Sequence, residues 1–148
     1  MYMYSYDGIG KVIVKSLIEQ QAVEGKNNKY KVHLFNDVSE VKEPGECGGL
    51  YTGEYEKEGF IGTYMLHNQA LKSEHIMISC VNNLVNPGQQ LALVSGLSNY
   101  TMLPVTFKAV ISEKEIVNKE KLMNLLAFNK EDLKLMKQMN YLTIQNMR

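Results

Sequence analysis

Apolar and polar side chains alternate with a period of two along most of the chain, from its first residue to about residue 112. In the opening segment MYMYSY, three tyrosines share one face and Met1, Met3 and Ser5 share the other, as in a β-strand. Clusters of glycine, asparagine and proline, which favour turns, separate further runs of the same kind. The pattern predicts about seven to nine strands that follow one another in meander order.

The periodicity becomes helical after residue 112. Ser112 and Glu115 have the spacing of a capping box, and Asn129 with Asp132 repeats that spacing. Behind these two starts, apolar residues recur at helical intervals: Leu122, Met123, Leu125 and Leu126, then Leu133, Leu135, Met136 and Met139. We therefore divide the chain into a strand-rich part over 1–112, a helical part over 113–140 and a possible final strand over 141–145.

Strands first and helices last are typical of the α+β class, built on an antiparallel sheet. A chain of 148 residues is long enough for one domain and too short for two ordinary ones. A sheet of seven to nine strands tends to curl or close, because closure removes its exposed edges. We expect residues 1–148 to form a single domain, a strongly curved sheet or small β-barrel with one or two C-terminal helices packed on it.

The composition of the chain indicates which partners it can bind and in which cellular compartment it is found. Sixteen basic and sixteen acidic residues cancel, whereas a general nucleic-acid binder usually carries a basic excess. No apolar run approaches the roughly 20 residues of a membrane-spanning helix, and the first residues do not resemble a targeting segment. Cys47 and Cys80 are interpreted as free thiols in a reducing environment. We therefore expect a cytoplasmic protein that binds neither membranes nor nucleic acid in general.

The segment GGLYTGEY has glycines at the spacing of a phosphate-binding loop, but the chemistry does not fit. Such a loop needs Lys and then Ser or Thr after its second glycine, and here Glu54 and Tyr55 follow Gly53. Glycines within the strands of one hairpin, Gly53 and Gly62, instead indicate a bend or a close backbone approach. The half motif at Ser98 lacks the second glycine of a nucleophile elbow. No catalytic constellation emerges, so the interpretation leans away from an enzyme.

Two histidines are the best candidates for metal ligands. His67 and His75 flank a loop between adjacent predicted strands, so they are expected to face each other. With Cys47 or Cys80 they could form a zinc site, but no pair has close ligand spacing such as CxxC. Ordinary strand histidines are the simpler interpretation, and we predict neither a metal nor a cofactor.

Tyrosines supply the candidate ligand site. The chain has nine tyrosines and no tryptophan, and alternation places Tyr51, Gly53 and Tyr55 on one strand face, with Tyr64 on the returning strand. A gap at the glycine, lined by rings, would accommodate a flat or apolar ligand; alternatively, a neighbouring ring covers Gly53. Lys108 interrupts an otherwise core-like strand and faces either solvent or an anionic ligand. These five residues form the predicted ligand-binding set.

Three functional hypotheses follow. The first is a non-catalytic sensor or regulatory domain that binds a small ligand in its curved sheet, such as the sensing part of a bacterial regulator or defence protein. The second is a protein-protein interaction or self-association module that uses the acidic segment 40–58 or the methionine-rich C-terminal helices. The third is a metal-dependent enzyme built around His67 and His75.

Overall fold

The computed structural model describes residues 1–38, 48–98 and 101–144. Within them the chain forms eight strands and then two helices. The elements are β1 (Tyr2–Asp7), β2 (Val12–Ala22), β3 (Lys29–Asn36), β4 (Gly49–Glu58), β5 (Ile61–Asn68), β6 (His75–Asn82), β7 (Gln89–Leu97), β8 (Pro104–Ser112), α1 (Lys119–Leu126) and α2 (Lys130–Met139). Each strand pairs antiparallel with the next, and β8 pairs with β1, which closes a barrel. The predicted class and strand order are confirmed, and the sheet is closed rather than open.

The period-two pattern decides which side chains fill the barrel. On β3, Val32 and Leu34 point inward, and on β5 Tyr64 and Leu66 do the same. Residues between them, such as His33, point outward, because successive side chains of a strand leave opposite faces. A one-residue slip in pairing would put every apolar side chain of a strand into water, so the pattern also fixes the register.

A second apolar cluster lies outside the barrel, beneath α1. Leu122 and Leu126 of α1 pack against Tyr4 of β1, Leu91 of β7 and Val110 of β8, and all five are buried. This second layer explains why Ala109, Val110 and Ile111 form an unbroken apolar run: at that point β8 is covered on both faces. The helices therefore flank the barrel and do not plug it.

The helix boundaries confirm one predicted start and correct the other. Asn129 accepts from the Asp132 amide and Asp132 accepts from the Asn129 amide, which is the predicted capping box of α2. The Ser112–Glu115 start is wrong, because Ser112 is the last residue of β8 and its hydroxyl donates to the Lys114 carbonyl at 2.6 Å. α1 begins at Lys119 instead, after an Asn118 cap that accepts from the Lys121 amide.

The chain after α2 differs from the prediction. A final strand was expected over 141–145, but residues 141–144 pair with no strand, and residue 145 lies outside the described residues. A barrel that is already closed leaves no open edge for a further strand to join, and Ile144 packs on the outer apolar cluster instead. None of the described helices is long and apolar enough to cross a membrane.

A buried ion pair joins the second helix to the barrel. Lys108 on the outer face of β8 donates to Asp132 of α2 at 2.6 Å, and both side chains are buried. The Lys108 ammonium also lies 5.3 Å from the centre of the Phe128 ring. Leu133, Met136 and Met139 of α2 remain 40–49% exposed, so the apolar stripe of this helix does not pack on the sheet as α1 does.

Candidate functional site

Two cavities open at opposite ends of the barrel. We call them by the tyrosine that lines each: the Tyr51 end, where β1, β3, β5 and β7 finish, and the Tyr64 end, where β2, β4, β6 and β8 finish. The cavity at the Tyr51 end has a volume of about 420 Å³, and that at the Tyr64 end about 480 Å³. Packed side chains such as Val32, Leu66 and Ile78 fill the interior between them.

The cavity at the Tyr51 end is mostly apolar. Its walls include Leu34, Ile76, Val94 and Phe107, which alternation directs inward from four different strands. Strand residues with β-branched and aromatic side chains form such walls because they fit a pleated surface. Among these apolar groups stands one buried carboxyl group, that of Glu74.

A hydrogen-bond network fixes the position of Glu74. The Tyr51 hydroxyl donates to Glu74 Oε1 at 2.8 Å, and Asn68 Nδ2 donates to Glu74 Oε2 at 3.0 Å. The Asn68 side-chain oxygen in turn accepts from the amides of Ala70 and Leu71, which holds the turn between β5 and β6. The turn and its hydrogen bonds therefore hold the Glu74 carboxyl group in one position at the wall of the cavity.

Tyr51 keeps its proton at neutral pH in this network. Burial raises the pKa of Tyr51 to about 12, and the hydrogen bond to Glu74 and the negative charge of that carboxylate add to the effect. Because a general base or nucleophile needs a pKa near the working pH, the shift has the wrong direction for this phenol to act as either. In the structure this hydroxyl donates a hydrogen bond to Glu74.

The cavity at the Tyr64 end is more polar. Amide side chains line it, among them Gln20, whose Nε2 donates to the Tyr64 hydroxyl at 2.7 Å, and Gln89. The rings of Tyr55 and Tyr64 lie 4.4 Å apart at its inner wall. Burial raises the pKa of Tyr64, and it raises the pKa of the neighbouring Cys80 thiol to about 11, so both groups stay neutral. This end therefore offers mainly neutral donors and acceptors, and its lining also includes two charged residues, Lys57 and Glu113.

The structure does not bring the predicted tyrosines to one site. All three point into the barrel, as alternation predicts, but Tyr55 and Tyr64 line one cavity and Tyr51 lines the other. Tyr51 and Tyr55 are four residues apart on β4, which at about 3.3 Å per residue is roughly 13 Å. A shared face is therefore not a shared pocket.

The expected gap at Gly53 is also wrong. A Cβ added there would overlap the carbonyl oxygen of Met65 on β5, so backbone and not a ligand occupies the space. The alternative, a ring over Gly53, is wrong too: the ring of Tyr55 covers Gly62, where an added Cβ would strike it. The close backbone approach that glycine permits is what the structure shows at Gly53.

Lys108 does not belong to either cavity. It was expected to face solvent or an anionic ligand, and it does neither, because it lies outside the barrel and bonds Asp132. Lys108 is nevertheless buried, because α2 lies over it. The contact forms because the fold brings β8 and α2, which are separate in sequence, close together.

The two candidate metal ligands do face each other. His67 and His75 are directly opposite on β5 and β6, with ring centres 6.1 Å apart on the outer face of the barrel. Cys80 points inward, where it is a free thiol, and Cys47 lies outside the described residues. Among the residues that the structure describes, no three metal-binding side chains lie close enough together to hold a metal ion.

Glu74 is the functional candidate that the sequence analysis missed. A lone glutamate beside His75 resembles an ordinary polar turn residue. The available signal was alternation: Ile76, Ile78 and Cys80 point inward on β6, and two residues before Ile76 the same face is occupied by Glu74. Extending the strand pattern into the turn would have predicted an inward carboxyl group.

No protein-family model, curated protein or solved structure matches this chain.

Proposed function

We propose that this protein is a non-catalytic, cytoplasmic ligand-binding domain of the sensor or regulatory type, which holds a small molecule in the cavity at the Tyr51 end. One observation carries the proposal: a cavity of about 420 Å³ with apolar walls and a few fixed polar groups opens into the barrel. Small-molecule sites typically measure about 300–1,000 Å³ and have this mixture of walls. An eight-stranded barrel has an interior just wide enough for side chains or one small ligand.

The chemistry of the lining supports binding over turnover. Tyr51 has a pKa of about 12 and is engaged with Glu74. Among the described lining residues there is no histidine, lysine or cysteine, and the buried carboxylate, Glu74, is engaged by Tyr51 and Asn68 rather than by a candidate nucleophile such as serine. The fixed polar groups suit recognition of a ligand, which is what a bacterial regulator or defence protein would require of a sensing domain.

We expect Val105→Trp to block the cavity. Val105 is half-buried in its lining, so an indole in its place takes the space of the ligand. N-phenyl-1-naphthylamine, an apolar fluorophore that is uncharged at neutral pH, should bind the wild-type chain. Its affinity should fall by about 10-fold or more, or about 1.4 kcal/mol, in the variant. Fluorescence titration measures the affinity of the fluorophore for the wild-type chain and for the variant.

Val117→Trp is the matched control. Val117 is 83% exposed, so the same substitution there adds a ring without entering the barrel. Equal affinity of the two variants for the fluorophore would show that the probe does not occupy this cavity. Absence of binding to the wild-type chain would argue against a site at the Tyr51 end.

The exposed stripe of α2 favours a second candidate function, which is self-association. Leu133, Met136 and Met139 lie together on one face of the helix, and methionine adapts well to a partner surface. The acidic segment 40–58, the other proposed docking surface, is described only from residue 48, where Glu54 and Glu58 are exposed on β4.

If α2 mediates self-association, the double variant Leu133→Glu, Met136→Glu should be monomeric at concentrations where the wild type is not. Two carboxylates would have to be buried in the interface without partners. Sedimentation velocity over a concentration series measures this. Lys134→Glu is the control, because it makes the same change in net charge at an exposed position of the same helix. A wild-type chain that stays monomeric throughout would exclude this function for α2.

A further inference from the structure

We propose that the ligand of the cavity at the Tyr51 end is a cation, an ammonium group on an apolar body, and that Glu74 is the residue that recognises it. The inference rests on the proposed function, since it names the chemical class of ligand for that site. Three observations carry it: the burial and unused acceptor capacity of Glu74, the charge of the lining, and the aromatic residues that line the cavity.

Glu74 has room for another donor. Its side chain is buried, with the residue 8% exposed, and each of its oxygens accepts one hydrogen bond from a neutral group, Tyr51 or Asn68. A carboxylate offers about four acceptor positions, so about half remain. A ligand ammonium has three donors and can occupy them.

The lining carries negative charge and, among described residues, no positive charge. Asp7 and Glu74 both line the cavity, and the described part of its lining contains no lysine, arginine or histidine. The three salt bridges in the described parts of the chain join Lys15 to Glu115, Lys29 to Glu56 and Lys108 to Asp132, so Glu74 takes no part in them. A buried carboxylate is costly unless it is paired, and a cationic ligand would offset that cost.

Aromatic residues are also part of the lining. Tyr6, Tyr51 and Phe107 line the same cavity. The negative face of an aromatic ring attracts a cation, and the effect grows when the pair is removed from water. The remaining walls, such as Leu34 and Val94, suit an apolar body attached to the charged group. An anion would meet two carboxylates here and gain nothing comparable.

The test uses three probes that share one ring and differ in charge: benzylamine, benzyl alcohol and benzoate, at neutral pH. Methyl NMR of the full chain reports where each binds, because Ile76 lines the cavity at the Tyr51 end and Ile111 the one at the Tyr64 end. We expect shifts at Ile76 and affinity for benzylamine about 10-fold or more above that for benzyl alcohol, with benzoate weakest. Hydrogen bonds to charged groups are worth about that factor.

Two variants assign the preference to Glu74. Glu74→Gln keeps the shape of the side chain and removes its charge, so affinity for benzylamine should drop to that for benzyl alcohol. Tyr51→Phe removes one neutral donor and leaves an acceptor position open, so the preference for benzylamine should rise. The second variant keeps the test decisive even if Glu74→Gln does not fold, because a preference that is unchanged or lower in Tyr51→Phe would overturn the inference.

The outcomes separate this inference from the proposed function. Equal binding of all three probes at Ile76 would overturn the cationic class and leave the ligand site intact. Binding of N-phenyl-1-naphthylamine without binding of benzylamine would do the same. If neither the fluorophore nor any of the three probes binds at the Tyr51 end, both proposals are wrong.

Discussion

Gly53→Ala is expected to destabilise the barrel by about 3 kcal/mol, the upper part of the usual range for overpacking. An added Cβ would overlap the Met65 carbonyl oxygen and press on the Leu66 backbone. A side chain could rotate away, but these atoms belong to the β4–β5 ladder and cannot move without breaking its hydrogen bonds. Thermal melting should show a midpoint lower by about 10 °C, since each kcal/mol shifts a chain of this size by about 2–4 °C.

Gly8→Ala is the control for this prediction. A Cβ at Gly8 would meet only the Tyr6 ring, at an ordinary contact distance of 3.8 Å, and its backbone needs no positive φ. A change within about 0.5 kcal/mol is expected there. If the two alanine variants have the same melting midpoint, the strands around Gly53 can separate more easily than their close approach implies.

Ending the chain after Val117 is expected to abolish soluble folded protein. The truncation removes α1 and uncovers Tyr4, Leu91 and Val110, which are at most 4% exposed in the complete fold. Each large apolar side chain returned to water costs about 1.5–3 kcal/mol, and the loss is concentrated on one outer patch of the barrel. Such a patch promotes aggregation. The measurement is the soluble fraction after expression, followed by thermal melting of whatever remains.

A chain ending after Phe128 separates the roles of the two helices. It keeps α1 and removes α2, whose only buried residue is Asp132. Lys108 loses its partner but regains water, so its charge is not left buried, and we expect a soluble chain that melts cooperatively. The prediction fails if both truncations aggregate alike, which would give α2 a share in the core, or if the shorter chain folds normally without α1.

The sequence was sufficient for the order and the faces of the strands. Alternation on β3 and β5 predicts which side chains point inward, because a strand turns successive residues to opposite sides whatever surrounds it. The capping box at Asn129 and Asp132 was readable for the same reason, since it joins residues three positions apart. The wrong helix start at Ser112 shows the limit of local patterns. Ser112 and Glu115 have the same spacing as Asn129 and Asp132, but Ser112 pairs with β1 and β7 and therefore belongs to a strand.

The sequence by itself thus determined an antiparallel meander with known inner and outer faces, and a helical C-terminal part. Only the tertiary structure decided that the sheet closes, that Tyr51 lies at the opposite end from Tyr55 and Tyr64, and that β5 backbone fills the space at Gly53. Periodicity reports the direction of a side chain but not its distance from residues on other elements. Lys108 meeting Asp132, and Glu74 meeting Tyr51, are contacts between segments 24 and 23 residues apart. They exist because packing of the whole barrel brings those segments together, and no local pattern carries that information.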